Sequence, residues 1–116
     1  MGYRDDLLRL ALNDESFILP LLGPNARTGQ PSSLDDKAYE LVRLSALLAL
    51  DAPPASYVCV VSAATAAGAT VEEIVDTLLA IANVIGIART VSAASELSLA
   101  IGFDIDRAIE TVDTPT

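Results

Sequence analysis

An all-α fold is what this sequence predicts, on three observations. Apolar residues recur at helical spacing, helix-start and helix-stop signals punctuate the chain in pairs, and the one β-branched run, Tyr57–Val61, has no second strand to pair with. At 116 residues and 12.1 kDa the chain is long enough for one core and too short for two. Residues 1–116 are therefore expected to form a single domain, with 1–32 supplying short N-terminal helices and a loop and 33–112 the core helices.

Tyr3–Leu12 places Leu7, Leu8, Ala11 and Leu12 on one stripe with Arg4, Asp5 and Arg9 opposite, and Asn13 or Asp14 ends it. Ser16–Leu22 is broken by Pro20 and stopped by Gly23-Pro24, which predicts a helical turn or two. Pro24–Ser32 is polar and turn-rich, a loop. A clear helix begins at Ser33, whose hydroxyl is placed to cap the Asp36 amide, while Asp35 and Asp36 suit the positive end of the dipole. Its stripe is Leu34, Ala38, Leu41, Ser45 and Leu48, and its polar face holds Lys37, Glu40 and Arg43. From Leu44 to Leu50 every side is apolar or small, so this half is expected to be buried all round.

Asp51 is the expected cap of the next helix, with Pro53 and Pro54 in a first turn where a missing amide donor costs little. Gly68 closes that helix, and Thr70-Val71-Glu72-Glu73 is a capping box that opens another. The latter is predicted to bury Val71, Ile74, Val75, Leu78, Leu79 and Ala82 and to expose Glu72, Glu73 and Asp76. Gly86 interrupts the chain, Ile87–Ile101 forms a helix charged only at Arg89 and Glu96, and Gly102 closes it. Within it Thr90, Ala94 and Ser98 make a ridge of small residues suited to core packing. Phe103–Val112 reads as a last short helix before a polar tail.

Composition narrows the function classes. A formal charge of −9 and a pI near 4.1 oppose nucleic-acid binding, which depends on clustered cations. Between Asp51 and Glu72 no residue is charged, yet Pro53, Pro54, Ser56, Ser62, Thr65, Gly68 and Thr70 make the segment too polar and interrupted to span a membrane. The N-terminus has acids where an export signal is basic, and one cysteine, Cys59, fits a reducing compartment, so a cytoplasmic location is expected. A hydrophobic fraction of 52% exceeds what so small a chain hides by itself, which predicts a homo-oligomer.

The sequence has no histidine, which removes the usual imidazole base, the Ser-His and Cys-His pairs and the commonest zinc ligand. Neither a phosphate-binding glycine loop nor a metal-ligand cluster is visible, so no metal and no cofactor are expected. Glu40 and Arg43, three apart on one helix, read either as a surface ion pair or as a buried pair lining a pocket in which Glu40 moves protons. Cys59 sits in an uncharged apolar helix, where an inert thiol outweighs a nucleophile. Tyr57, Ser62, Asn83 and Arg89 are polar groups in apolar surroundings, and each needs a partner from backbone, subunit or ligand.

The segment Leu34–Gly102 resembles the carboxymuconolactone decarboxylase and alkylhydroperoxidase D-like superfamily. LDDKAYELVRLSALLAL, then AATAAGATVEEIVDTLLAIANVIG, then a small-residue-rich helix carry the likeness. The resemblance implies an all-α bundle of the alkylhydroperoxidase D-like type, assembled into trimers or hexamers with sites near subunit boundaries. Redox members carry Cys-x-x-Cys-x-x-x-His in the second helix. Counted back from Gly68, those positions are Pro53, Ser56 and Val60 here, and Cys59 matches neither cysteine. The glutamate that feeds protons in redox members falls near Glu40 or Leu41. Two-cysteine peroxidase chemistry is therefore not expected.

These readings leave three functions open. The first is a homo-oligomer that binds a small organic molecule in an apolar pocket, lined from among Arg43, Tyr57, Cys59, Ser62, Asn83 and Arg89. The second is a lactone, decarboxylation or isomerisation enzyme with Glu40 as base. The third is a structural subunit. The pocket is expected between the Ser33–Leu50 and Pro53–Ala67 helices, where Glu40, Arg43, Tyr57 and Cys59 cluster in sequence.

Overall fold

The structure is a computed structural model that describes residues 2–23 and 32–113; the loop read over Pro24–Ser32 lies outside these except for Ser32. The chain divides into two compact units, Met1–Ser33 and Leu34–Thr116. The first holds α1 (Tyr3–Ala11), α2 (Glu15–Ile18) and a 3-10 turn (Leu19–Leu22). Asp5 and Arg9 pair at 3.2 Å along α1, and Asn13, in the left-handed region at φ 56°, ends it. Asp14 caps α2 by accepting from the Ser16 amide at 3.1 Å and its hydroxyl at 2.7 Å. The Ser16 hydroxyl is the main reason the Asp14 carboxyl is held below its ordinary value.

The second unit is all helical among its described residues: α3 (Asp36–Leu50), α4 (Pro54–Ala66), α5 (Val71–Ile85), α6 (Ile87–Ile101) and α7 (Ile105–Asp113). α3 packs on α4 and α5, and α6 packs on the same two, so four helices form the sides of a square. α7 follows α6 and packs less extensively on the four than they do on one another. Leu44, Leu48, Tyr57, Val60, Val61, Ala64, Ile74, Leu78, Ala93 and Leu97 fill the core. Fully burying one such aliphatic side chain stabilises the fold by roughly 1.5–3 kcal/mol, so these positions dominate its stability.

Four local expectations change. α3 begins at Asp36, because the Asp35 carboxylate rather than the Ser33 hydroxyl accepts from a first-turn amide, that of Ala38, at 2.7 Å. A carboxylate there both caps and complements the dipole, and Ser33 lies two residues too early. Asp51 opens no helix. It closes α3 in the left-handed conformation at φ 57°, with its amide donating to the Leu47 carbonyl, and Pro53 precedes Pro54 at the first position of α4. Nor is Leu44–Leu50 buried all round within one chain: Leu44 and Leu48 are sealed, but Leu50 is 78% exposed. On α5, Ile74 and Leu78 turn inward while Val71 and Leu79 stay outside.

The glycine stops and the capping box form as read. Thr70 Oγ1 accepts from the Glu73 amide at 3.1 Å, and Glu73 Oε1 accepts from the Thr70 amide at 2.9 Å. Glu73 also reaches Lys37 Nζ at 3.0 Å, which ties α5 to α3. The Thr70 amide and then Lys37 hold the Glu73 carboxyl below its ordinary value, and Glu73 in turn raises the Lys37 ammonium.

Candidate functional site

α4 carries Tyr57 into the centre of the square, where the ring is fully buried. Its hydroxyl donates to the Leu47 carbonyl oxygen at 3.1 Å, beside the carboxylate of Glu96 on α6. Burial, reinforced by Glu96, pushes the phenol up to about 12. In the first turn of α6, Arg89 places Nη1 3.1 Å from Asp51 Oδ1 and Nη2 3.2 Å from Glu96 Oε2 and 3.4 Å from Ser92 Oγ. One guanidinium thus joins the corner after α3 to α6. Arg89 Nε is buried without a hydrogen-bond partner among the described residues. Solvent does not reach that nitrogen, and the two amino groups already face carboxylates, so the arrangement acts as a clamp between helices.

The other sequence candidates lie elsewhere. Glu40 accepts from Arg43 Nη1 at 3.1 and 3.4 Å, with the glutamate side chain 15% exposed and the arginine 51%. The Arg43 guanidinium lies 5.5 Å from the centre of the Tyr39 ring. Tyr57 does not join this pair, because its hydroxyl meets Leu47, two helical turns or about 10 Å along α3 from Glu40. Cys59 and Ser62 are exposed on α4, and Asn83 is exposed on α5. The structure therefore brings together Tyr57 and Arg89, and leaves Glu40 with Arg43 as a second, separate pair.

Glu96, which is not among the candidates that the sequence singles out, joins Arg89 and Tyr57. Its signal was its place seven residues after Arg89, on the same helix face, as the only acid of α6.

Two clefts open around α7, while Leu44, Leu48, Tyr57, Val60 and Val61 of α3 and α4 are buried in the core. The larger, about 560 Å³, lies where α6 gives way to α7 and is lined by Ser95, Ser98, Leu99, Gly102, Phe103 and Ile105, with Asp104 and Asp106 beside them. A second, about 420 Å³, runs along the apolar side of α7 past Phe103, Ala108, Ile109 and Val112. Ser98 is buried, its hydroxyl donating to the Ala94 carbonyl at 2.6 Å. Among the described residues no three His, Cys, Asp or Glu side chains gather as a metal site, and no helix is long and apolar enough to cross a membrane.

No curated protein and no solved structure matches the chain at a significant level. The model of the carboxymuconolactone decarboxylase family matches residues 23–98, which include α3, α4, α5 and most of α6. That match covers more than half of the chain and all four sides of the helical square, so the chain belongs to the carboxymuconolactone decarboxylase family.

Proposed function

We propose that this chain is a decarboxylase-like subunit that assembles with copies of itself and binds a small, uncharged organic molecule in the cleft between α6 and α7. The cleft itself carries the reading. Its volume of about 560 Å³ falls in the range of small-molecule sites, which run roughly 300–1,000 Å³. Leu99, Phe103 and Ile105 supply apolar wall, and the Ser95 hydroxyl supplies a polar contact. Asp104 and Asp106 disfavour an anion there, and so does the chain's charge of −9. Leu99 is 79% exposed and Phe103 54%, so a single chain leaves the cleft open and a neighbouring subunit has apolar surface to close over.

The test is a nuclear magnetic resonance titration with neutral lactones and aromatic alcohols. The reading predicts shifts concentrated at the Ser98, Leu99, Gly102 and Phe103 amides, abolished by Leu99→Asp. Binders that shift other amides, or a panel with no binder, contradict it.

An enzymatic reading keeps one observation in its favour, the largely buried Glu40 side chain. Glu40→Gln removes the only carboxylate of that pair, so a turnover of any such lactone that survives the substitution excludes Glu40 as base.

A further inference from the structure

The polar side chains of the cleft between α6 and α7 are biased toward accepting hydrogen bonds. Those that carry oxygen are Ser95 and Ser98 on α6, Asp104 in the turn and Asp106 on α7. The Ser98 hydroxyl already gives its hydrogen to the Ala94 carbonyl at 2.6 Å, so toward a ligand its oxygen can only accept. Carboxylates likewise accept and do not donate. Asp104 Oδ1 accepts from the Arg107 amide at 3.0 Å, and Asp106 is exposed. Ser95 is therefore the one lining side chain with a hydroxyl hydrogen to offer. Two backbone amides at the cleft are committed as well, Gly102 to the Leu99 carbonyl at 3.3 Å and Phe103 to the Ser98 carbonyl at 2.9 Å.

We infer that the cleft selects a neutral ligand that donates a hydrogen bond, an alcohol or phenol on an apolar frame, over one that only accepts, such as a ketone or lactone. The inference rests on the cleft being a binding site and goes further by fixing the ligand's functional group. A carbonyl oxygen placed there sets its lone pairs against those of Ser98 and Asp106 and leaves desolvated acceptors without a hydrogen. A hydroxyl group supplies that hydrogen, and its own oxygen can accept from Ser95. An ammonium group donates too. Ser98, however, the buried acceptor at 8% exposure, is neutral and shares the cleft with Leu99, Phe103 and Ile105, so the cost of desolvating a charge is not repaid there.

The experiment is a pair of nuclear magnetic resonance titrations of the full chain with cyclohexanol and cyclohexanone, which share a ring and differ in whether the oxygen carries a hydrogen. Shifts at the Ser98, Leu99, Gly102 and Phe103 amides should show the alcohol binding roughly fivefold or more tightly than the ketone. Ser98→Ala should narrow that ratio by weakening the alcohol. The Ala94 carbonyl keeps its place in the hydrogen-bond ladder of α6, so this variant should remain folded. Asp106→Asn, an exposed change that adds an amide donor, should narrow the ratio by strengthening the ketone. A ketone that binds at those amides as tightly as the alcohol overturns the selection and leaves the cleft reading standing, as does a preference for the alcohol that neither variant narrows. If neither ligand shifts those amides, the cleft reading falls and this inference with it.

Discussion

Tyr57 fastens the corner between α3 and α4 by donating from a fully buried ring to the Leu47 carbonyl oxygen at 3.1 Å. Leu47 also accepts from the Ala52 amide at 3.2 Å, so removing the hydroxyl does not orphan the carbonyl. Tyr57→Phe is predicted to cost about 1 kcal/mol, the net worth of one hydrogen bond. Tyr57→Ala is predicted to cost about 3–5 kcal/mol through the cavity it leaves. Urea denaturation of the two variants separates the hydroxyl from the ring.

The same phenol gives a pH signature. Its folded value, about 12, lies above the ordinary 10, so the neutral form is favoured by folding. That contribution is whole below pH 10 and is lost as pH rises from 10 to about 12. Stability measured across this window should fall more steeply in the parent than in Tyr57→Phe.

Glu73 has the opposite sign. Its carboxyl is held below the ordinary 4.5 by the Thr70 amide and Lys37, so its contribution is present above that value and disappears as pH drops through the folded one. Glu73→Gln should flatten the acid limb of the stability profile. Thr70→Ala, which removes the hydroxyl cap on the Glu73 amide, is predicted to cost about 1 kcal/mol at neutral pH.

Gly86 and Gly102 should respond differently to substitution although a Cβ meets nothing within 4 Å at either. Gly102 has φ 79° and ψ 22°, the left-handed region that asparagine tolerates, whereas Gly86 has φ 85° and ψ 169°, a conformation essentially confined to glycine. Gly86→Asn is predicted to cost about 2–3 kcal/mol and Gly102→Asn about 1 kcal/mol or less, read from thermal or urea unfolding.

What the sequence made legible was local. The Thr70–Glu73 capping box, the stops at Gly68, Gly86 and Gly102, and the span of α6 depend on residues within a turn of one another, and each formed as read. The start of α3 is ambiguous in the sequence because Ser33, Asp35 and Asp36 offer equivalent local signals, and the folded helix shows that the Asp35 carboxylate faces an amide. Asp51 is equally ambiguous, since an acid before two prolines suits an opening cap as well as the left-handed close it adopts. The Tyr57–Glu96 neighbourhood joins α4 to α6, and the cleft at Leu99 and Phe103 depends on how α7 leaves α6, so both follow from the packing of distant segments, which no local pattern encodes.

Self-assembly is central to the proposed function, and mass in solution tests it most directly. Sedimentation equilibrium of the full chain at micromolar concentration should give a mass two or more times 12.1 kDa. A single species of 12.1 kDa at that concentration would contradict the account.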